Sequence, residues 1–425
     1  MPLVSPLRRR GFRLLWMGMA VSLLGDGIFL VAIAWQAYTL SNQPAALAYV
    51  GVAISLPQVL LLLVGGATSD RLPRRAVLFW ADVSRALAVG ALAVTVASGS
   101  THLWQLYVVG GLIGTATAFA SPAFDAIVPQ LVPADELTQA NAFEQFVRPA
   151  ALQLAGPAVG GLAVAILRPG GALGLDATTF AFSALCVSRM PRLQPATTAK
   201  GVKSLNRDIR EGLHYVRHHV WLWGTFLSAA LTYLLFVGPT QVLLPYVLRN
   251  SFHYGASAYG VVLASGGIGA LVAALLMGRA RDPRRPVVWI YLWWTVATLG
   301  IAGYGMARHL WGFVVAAVIV NGAEVFGAVV WATLKQRRVP NAMMGRVSSI
   351  DWFVSTAFLP LSYALTAPVT HVLGARTTLV LAGTAGAALT LGFLFLPGMR
   401  EGDGVGTDTL PDGTNPESTV IEVPA

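Results

Sequence analysis

The sequence contains little charge, one cysteine and few lysines. Only 11% of its 425 residues are Asp, Glu, Lys or Arg, against about 25% in ordinary soluble domains. The lone Cys186 excludes a disulfide framework and a cluster of cysteine metal ligands. The lysines, Lys200, Lys203 and Lys335, complete no G-x-x-x-x-G-K-[ST] phosphate loop, which argues against P-loop ATP hydrolysis.

Other chemical signatures are absent as well. The seven histidines include no H-E-x-x-H pair, and no Ser/His/Asp set is clustered along the chain. We therefore predict no enzymatic activity, no cofactor and no metal site. The formal net charge of +10 would indicate a nucleic-acid partner in a soluble protein, but membrane proteins carry cytoplasmic arginines for another reason, so none is predicted.

Apolar segments dominate what is present. Hydrophobic residues make up 55% of the chain, too many for one water-soluble core. Segments of about 20 apolar residues predict an all-α integral membrane protein with twelve transmembrane helices. The predicted spans lie near 12–40, 45–67, 75–98, 103–122, 140–166, 171–190, 221–248, 256–278, 286–306, 309–332, 348–372 and 375–397.

Basic residues between the spans fall mainly on one side. Alternate connections carry 23 of the 29 basic residues, and the opposite connections carry four. The positive-inside rule then predicts a protein of the cell membrane whose two termini and long middle linker lie in the cytoplasm. We predict an N-terminal half (1–190), a cytoplasmic linker (191–219), a C-terminal half (220–398) and a disordered cytoplasmic tail (399–425).

The two halves repeat each other in sequence. One match has a constant offset of 207 residues and lies at the cytoplasmic entry of the fifth span of each half. It pairs Val132-Pro133, Glu144 and Phe146-Val147 with Val339-Pro340, Asp351 and Phe353-Val354. The arginine pairs Arg74-Arg75 and Arg284-Arg285 repeat 210 apart. These matches predict two parallel six-helix repeats, an arrangement suited to alternating access.

Two motifs resemble those of a known transporter family. The loop Gly66-x-x-x-Asp70-Arg71-x-x-Arg74-Arg75 is similar to the signature loop of the major facilitator superfamily, with Pro73 where glycine is usual. Gly156-Pro157-x-x-Gly160-Gly161 resembles the superfamily's antiporter motif, which implies export driven by a proton gradient. Weaker similarity is to the enterobactin-exporter and macrolide-efflux branch, at Gly25-Asp26, Arg210-Glu211-Gly212-Leu213 and Gly345-Arg346-Val347-Ser348-Ser349.

The signature loop is a candidate cytoplasmic gate. Asp70 can lie near the positive N-terminal end of a neighbouring helix, such as span 11, and so hold the two halves together. Glu144 and Asp351 are placed to receive arginines from the two loops. Topology alone also explains Arg71, Arg74 and Arg75, and an acid at a helix start needs no partner, so both explanations stay open. The antiporter glycines allow close helix packing, which could seal the extracellular side.

Two acids lie well inside predicted spans. Asp26 is central in span 1 and Glu324 in span 10, where a charge costs about 2.5 to 3.5 kcal/mol and usually faces a cavity. The family resemblance implies that spans 1, 4, 7 and 10 line the central cavity; helix-to-helix hydrogen bonding is the alternative. Arg148 can pair with Glu144 or contact an anionic substrate, and we favour the ion pair.

Asp82 and Arg85, near the start of span 3, are predicted to form a local structural pair.

Together these sequence features predict a monomeric secondary transporter in the lipid bilayer that exports a small amphipathic molecule, such as a drug, siderophore or secondary metabolite, in exchange for protons. An uncoupled facilitator or a symporter is an alternative. A membrane sensor or scaffold that does not transport is an alternative from another class.

Overall fold

A computed structural model describes residues 5–133, 136–191, 205–280 and 283–403, and these ranges contain helices and no strand. The helices are α1 (Arg10–Leu40), α2 (Pro44–Arg71), α3 (Arg74–Ala97), α4 (Leu103–Leu131), α5 (Leu137–Arg148), α6 (Gly156–Ser188), α7 (Leu205–Arg217), α8 (Val220–Asn250), α9 (Ala256–Met277), α10 (Pro286–Met306), α11 (Leu310–Arg338), α12 (Asn341–Ala357), α13 (Leu359–Leu373) and α14 (Ala375–Phe393).

Ten helical stretches of the described chain are long and apolar enough to cross a membrane. One of them, the 43-residue stretch Phe146–Ser188, covers parts of the predicted spans 5 and 6. It is interrupted at Arg168, whose φ of 62° lies in the left-handed region and which precedes Pro169. The helix α14 occupies the position of predicted span 12. The predicted all-α membrane fold is therefore confirmed.

Two of the predicted spans are not continuous α-helices. In span 5, α5 passes into a π-helical segment, Pro149–Ala155, before α6 begins. Pro157 has no N–H with which to close the α-helical hydrogen bond four residues earlier, which favours this wider turn. Span 11 consists of α12 and α13, which meet at Phe358, two residues before Pro360.

The linker and the tail differ from prediction. The predicted linker 191–219 contains α7, which is a separate amphipathic helix; residues 192–204 lie outside the described part. The boundary of a disordered tail at residue 399 is wrong, because Met399–Asp403 forms an ordered 3-10 turn. The Met399 side chain is fully buried, and an Asp403 oxygen accepts a 2.7 Å hydrogen bond from the Val287 N–H. Residues 404–425 lie outside the described part.

The apolar core is asymmetric along the helix axes. We call the side that carries α7 the linker side, and the side of the α1–α2 turn the far side. At the far side one continuous core joins both halves, from Ile28 and Tyr38 of α1 to Val242 of α8 and Phe313 of α11. At the linker side the core divides into one cluster for each half. The halves are therefore packed together at the far side and have separate cores at the linker side.

Candidate functional site

The signature loop joins α2 to α3 at the linker side. Arg74 donates a 2.7 Å hydrogen bond to the Ala126 carbonyl of α4. Arg75 donates to the carbonyls of Val187 and Ser188 at the end of α6. Cations at a helix C-terminus are favourable because carbonyl oxygens are left there without helical partners. These two arginines therefore connect helices within the N-terminal half.

Three other residues of the predicted gate, Gly66, Asp70 and Arg71, lie in or beside this loop. A β-carbon at Gly66 would meet no atom of the described residues within 4 Å, so no close approach among them requires this glycine. The side chains of Asp70 and Arg71 lie outside the described part of the structure. Their contact with span 11 stays a prediction.

The repeat-related acids Glu144 and Asp351 have different partners. Glu144 forms an ion pair of 2.9 Å with Arg148, one turn along α5, as favoured from the sequence. The Arg148 side chain is 44% exposed, so the protein does not enclose this pair. Asp351 accepts hydrogen bonds from Lys335 and from the Trp331 indole N–H of α11, the latter at 3.1 Å. The positive partner of Asp351 therefore comes from the end of a neighbouring helix.

The antiporter motif packs against helices of both halves. A β-carbon on Gly156 would lie 2.7 Å from Gly27 Cα of α1, and one on Gly161 would lie 3.0 Å from Gly260 Cα of α9. Real β-carbons essentially never approach a backbone atom as closely as 2.7 Å, so glycine is required at the first contact. The motif therefore lies at a tight contact between the halves, within the part of the molecule that forms the continuous core.

Polar contacts reinforce this closed side. The Tyr38 hydroxyl donates a 2.6 Å hydrogen bond to the Val242 carbonyl, and Asn42 donates one of 2.7 Å to Asn250. The guanidinium of Arg249 lies over the Trp35 ring, 5.3 Å from its centroid. Each of these contacts joins α1, or the turn after it, to α8. They hold the N-terminal and C-terminal halves together at the far side.

A polar network lies inside the N-terminal half. The Ser183 hydroxyl of α6 donates a 2.6 Å hydrogen bond to Asp82 of α3, and Arg85 donates one of 2.8 Å to Thr117 of α4. The Asp82–Arg85 pair predicted from the sequence is present, but its closest N···O distance is 4.0 Å. Both side chains therefore bond more closely to neighbouring helices than to each other.

Asp176 of α6 completes this network. It is fully buried, and one of its carboxylate oxygens has no hydrogen-bond partner in the described chain. Asp176 lies near the start of the predicted span 6 (171–190), and the sequence analysis did not single it out. The signal available was its spacing: Asp176, Thr179 and Ser183 recur every three or four residues and so share one face of α6.

Asp26 lies beside this network on α1. Its side chain is half-buried, and it is within electrostatic range of the cations Arg85 and Arg148 and of the carboxyl groups of Asp82 and Asp176. The preceding residue, Gly25, packs directly against Thr179 and Asp176 of α6. The structure thus brings together Asp26, which was predicted as functional, with the predicted structural pair and with Asp176.

Glu324 lines a cavity within the C-terminal half. The cavity lies between α8, α10, α11 and α14, and the Glu324 side chain is exposed to it. Sequence reasoning expected Glu324 to face a cavity. It placed that cavity between the two halves, whereas the cavity described here is lined by the C-terminal half.

The described residues include no group of three His, Cys, Asp or Glu side chains placed to hold a metal.

Comparison with known proteins identifies the family. Residues 2–415 match the model of a family described as transmembrane secretion effectors, a branch of the major facilitator superfamily. Macrolide efflux protein A of Streptococcus pyogenes is 24% identical over 381 residues, which cover 88% of this chain and 92% of that protein. The enterobactin exporter EntS of Escherichia coli O1:K1 / APEC is 24% identical, over 91% of each protein.

The fold is also found in a solved structure. A bacterial homologue of the iron transporter ferroportin in the inward-facing state superimposes with a TM-score of 0.68 and 17% identity, covering 93% of this chain and 99% of that one. This likeness shows the fold alone. The chain belongs to the transmembrane secretion effector family of the major facilitator superfamily and is a multi-pass membrane transporter, not an enzyme.

Proposed function

We propose that the protein exports a small amphipathic molecule from the cytoplasm in exchange for protons, by alternating access, as a monomer with both termini cytoplasmic. The observation that carries this proposal is the asymmetry of the core. One continuous core closes the far side, and the two cores of the linker side are separate. If the linker side is cytoplasmic, the structure corresponds to a state that receives substrate from the cytoplasm.

We assign proton coupling to Asp26. It is the acid of α1, and it lies within electrostatic range of Arg85 in the buried network and of Arg148 in the Glu144–Arg148 pair of α5. A carboxyl with nearby cations can release its proton without leaving an uncompensated charge in the membrane. Glu324 is the second candidate. The names of the relatives, which include macrolide efflux and enterobactin export, support the direction of transport and give the first compounds to test.

Transport in reconstituted vesicles tests the coupling. We expect the wild-type protein to accumulate a radiolabelled macrolide against its gradient when a proton gradient is imposed. Asp26→Asn is expected to lose uphill transport but keep exchange of labelled for unlabelled macrolide, because alternating access itself needs no titrating carboxyl. Glu136→Gln, which removes the acid of the Arg9–Glu136 ion pair at the linker side, is the control and is expected to retain both activities.

The other outcomes discriminate between the alternatives. Undiminished uphill transport by Asp26→Asn moves the coupling role to Glu324. Undiminished uphill transport by the Asp26→Asn/Glu324→Gln double variant refutes coupling through these acids. Wild-type transport that no proton gradient can drive uphill indicates a facilitator. If no compound of a broad panel is transported by correctly folded protein, the sensor or scaffold alternative is favoured.

Topology is tested separately. Reporter fusions after Lys200 and after the C-terminal residue are expected to read cytoplasmic, and insertions near Asn42 and Ser251 are expected to read external. An external reading at Lys200 contradicts the proposed orientation.

We also propose that Asp70 of the signature loop controls the conformational balance. Its helix, α2, contacts α13 of the other half at Gly51, which lies against the Tyr363 ring. Asp70→Asn is expected to reduce transport strongly while macrolide binding in detergent is retained. A proportional loss of binding and transport would remove the support for this role.

A further inference from the structure

The cavity beside Glu324 has the dimensions of a small chemical group. It contains about 490 Å³ of space outside protein atoms, including its open mouth. A methylated ammonium group fits this space.

The lining of this cavity combines one acid with aromatic rings and hydroxyl groups. Glu324 is the acid, the rings belong to Tyr233, Phe236 and Trp294, and hydroxyls come from Thr232 and Thr390. No described residue of the lining is basic. The Trp294 ring packs on Gly327, three residues along α11 from Glu324, and the Tyr233 and Phe236 rings meet edge to face at 5.5 Å. The rings are therefore held by packing and by each other.

Glu324 differs from other membrane acids of this protein. Among the described residues it has no hydrogen-bond or ion-pair partner, whereas Glu144 pairs with Arg148 and Asp351 with Lys335. Asp26 lies within electrostatic range of two arginines. An acid inside a membrane is costly unless its charge is compensated or it carries a proton. The described residues provide no positive charge for Glu324, so a bound ligand can provide it.

The repeat shows what occupies the equivalent place in the N-terminal half. The bounds of α11 are those of α4 shifted by 207 residues, the same offset found in the sequence, so Glu324 is equivalent to Thr117. Thr117 accepts a hydrogen bond from Arg85, whose guanidinium also lies over the Phe180 ring at 5.5 Å. The N-terminal half therefore places a cation, next to an aromatic ring, where the C-terminal half has its cavity.

The C-terminal half has no equivalent arginine. The C-terminal ends of α3 and α10 are 209 residues apart, and this offset makes Trp294 equivalent to Arg85. The arginine pairs of the two loops are 210 residues apart, and that offset makes Thr295 equivalent to Arg85. Neither residue is basic. In place of an internal guanidinium, this half has the Glu324 carboxyl, three aromatic rings and a cavity.

We propose that this cavity binds the ammonium group of a small organic cation, with Glu324 as its counter-ion and Trp294, Tyr233 and Phe236 providing aromatic faces. Quaternary and alkylated ammonium groups are recognised by such combinations of a carboxylate and ring faces. The ligand's cation takes the place that Arg85 fills in the other half. This inference rests on the proposed transport function and makes the cation part of the transported molecule, separate from the proton site at Asp26.

Binding of a simple cation tests the proposal. The purified full-length protein in lipid nanodiscs is titrated with radiolabelled phenyltrimethylammonium. We expect saturable binding that choline displaces and that its uncharged isostere, 3,3-dimethylbutan-1-ol, does not. Glu324→Gln is expected to weaken binding about tenfold or more, because it removes the charge–charge attraction between the carboxylate and the quaternary ammonium, which has no N–H to donate. Trp294→Leu is expected to weaken it by about two- to thirtyfold, the range for one cation–π contact.

Matched variants provide the controls. Glu136→Gln, which removes an acid paired with Arg9 outside the cavity, and Trp311→Leu, which removes an exposed tryptophan, are expected to bind as the wild type does. Asp26→Asn is also expected to bind the cation within twofold, although it loses proton-driven transport. This difference separates failure of the cation site from failure of the proposed function.

Three results overturn the proposal. They are absence of saturable binding by the wild type, equal displacement by the uncharged isostere, and unchanged affinity in a monodisperse Glu324→Gln protein. Glu324→Asp, which keeps the charge, is expected to bind the cation more tightly than Glu324→Gln does. If the Glu324→Gln protein does not fold, the tryptophan variants decide. Equal affinity of Trp294→Leu and Trp311→Leu for the cation then refutes the site.

Discussion

Tyr38 of α1 donates a 2.6 Å hydrogen bond to the backbone carbonyl of Val242 on α8, and so joins the two halves at the far side. Tyr38→Phe removes this bond and leaves a buried carbonyl without it, at a cost of about 1 kcal/mol to the closed arrangement. We expect a shift of about fivefold towards opening of the far side. Spin labels at Asn42→Cys and Asn250→Cys report the distance, because these residues are hydrogen-bonded in the closed arrangement.

Tyr246→Phe is the matched control for that measurement. Its ring packs 5.6 Å from the Tyr38 ring, and no hydrogen bond of its hydroxyl is described, so the variant is expected to show the wild-type distance distribution. An identical distribution for Tyr38→Phe would show that this bond does not influence the equilibrium.

Gly260 of α9 is predicted to be as important as the antiporter motif it contacts. A β-carbon at this position would lie 2.5 Å from the Pro157 carbonyl and 2.8 Å from Gly161 Cα. Gly260→Ala is expected to disfavour far-side closure by about 1–3 kcal/mol, the usual cost of overpacking, and to lower uphill export by about tenfold.

The control for Gly260→Ala is Gly392→Ala, where an added β-carbon meets no atom within 4 Å. This variant is expected to transport at the wild-type rate in the same vesicles. Equal transport by both variants would exclude a role for the Gly260 contact in closure.

Arg85 is predicted to stabilise the folded N-terminal half. Arg85→Gln removes the cation that bonds Thr117 and faces Asp82 in a buried network, and breaking such a network costs about 3 kcal/mol. We expect a clear decrease in the melting temperature followed by intrinsic fluorescence in detergent. Arg148→Gln removes an exposed pair and is expected to have little effect. Equal melting temperatures would contradict the stabilising role.

The Arg9–Glu136 pair at the linker side predicts a pH-dependent contribution to stability. The hydrogen bond from Arg9 lowers the pKa of Glu136 below its ordinary value of 4.5. The contribution is therefore fully present above the ordinary pKa and is lost as the pH falls through the lowered one. Because the Arg9 side chain is 46% exposed, we expect Glu136→Gln to reduce the melting temperature only slightly at pH 7, and the reduction to shrink as the pH falls below 4.5. A difference that stays constant as the pH falls below 4.5 would contradict this origin.

Hydropathy was sufficient to predict most of the membrane fold. Runs of about 20 apolar residues are a property of local sequence, and most of the predicted spans agree with the helices to within a few residues at one end or both. The extension of α4 to Leu131 and of α11 to Arg338 was missed because the last turns of these helices are more polar than their centres. The helix α7 was missed because it is short, amphipathic and surrounded by polar sequence.

The candidate site was predicted only in part. That Asp26 and Glu324 are central followed from their depth in apolar segments. Which residues surround them depends on helix packing, which single-sequence patterns do not specify. Asp176 was therefore not singled out from the sequence, although the packing of α1 on α6 brings it next to Gly25. Lys335 appeared to be a loop residue, although α11 continues far enough to bring it to Asp351.

The continuous core at the far side also has a thermal consequence. To open this side, the protein must transfer apolar surface, such as that around Ile28 and Val242, from protein contacts to water. Exposure of apolar surface raises the heat capacity, by about 0.45 cal/mol/K for each Å². The enthalpy of the conformational change then varies with temperature. A van't Hoff plot of the equilibrium between the two states is therefore expected to be curved, and the activation energy of transport to depend on the temperature range in which it is measured.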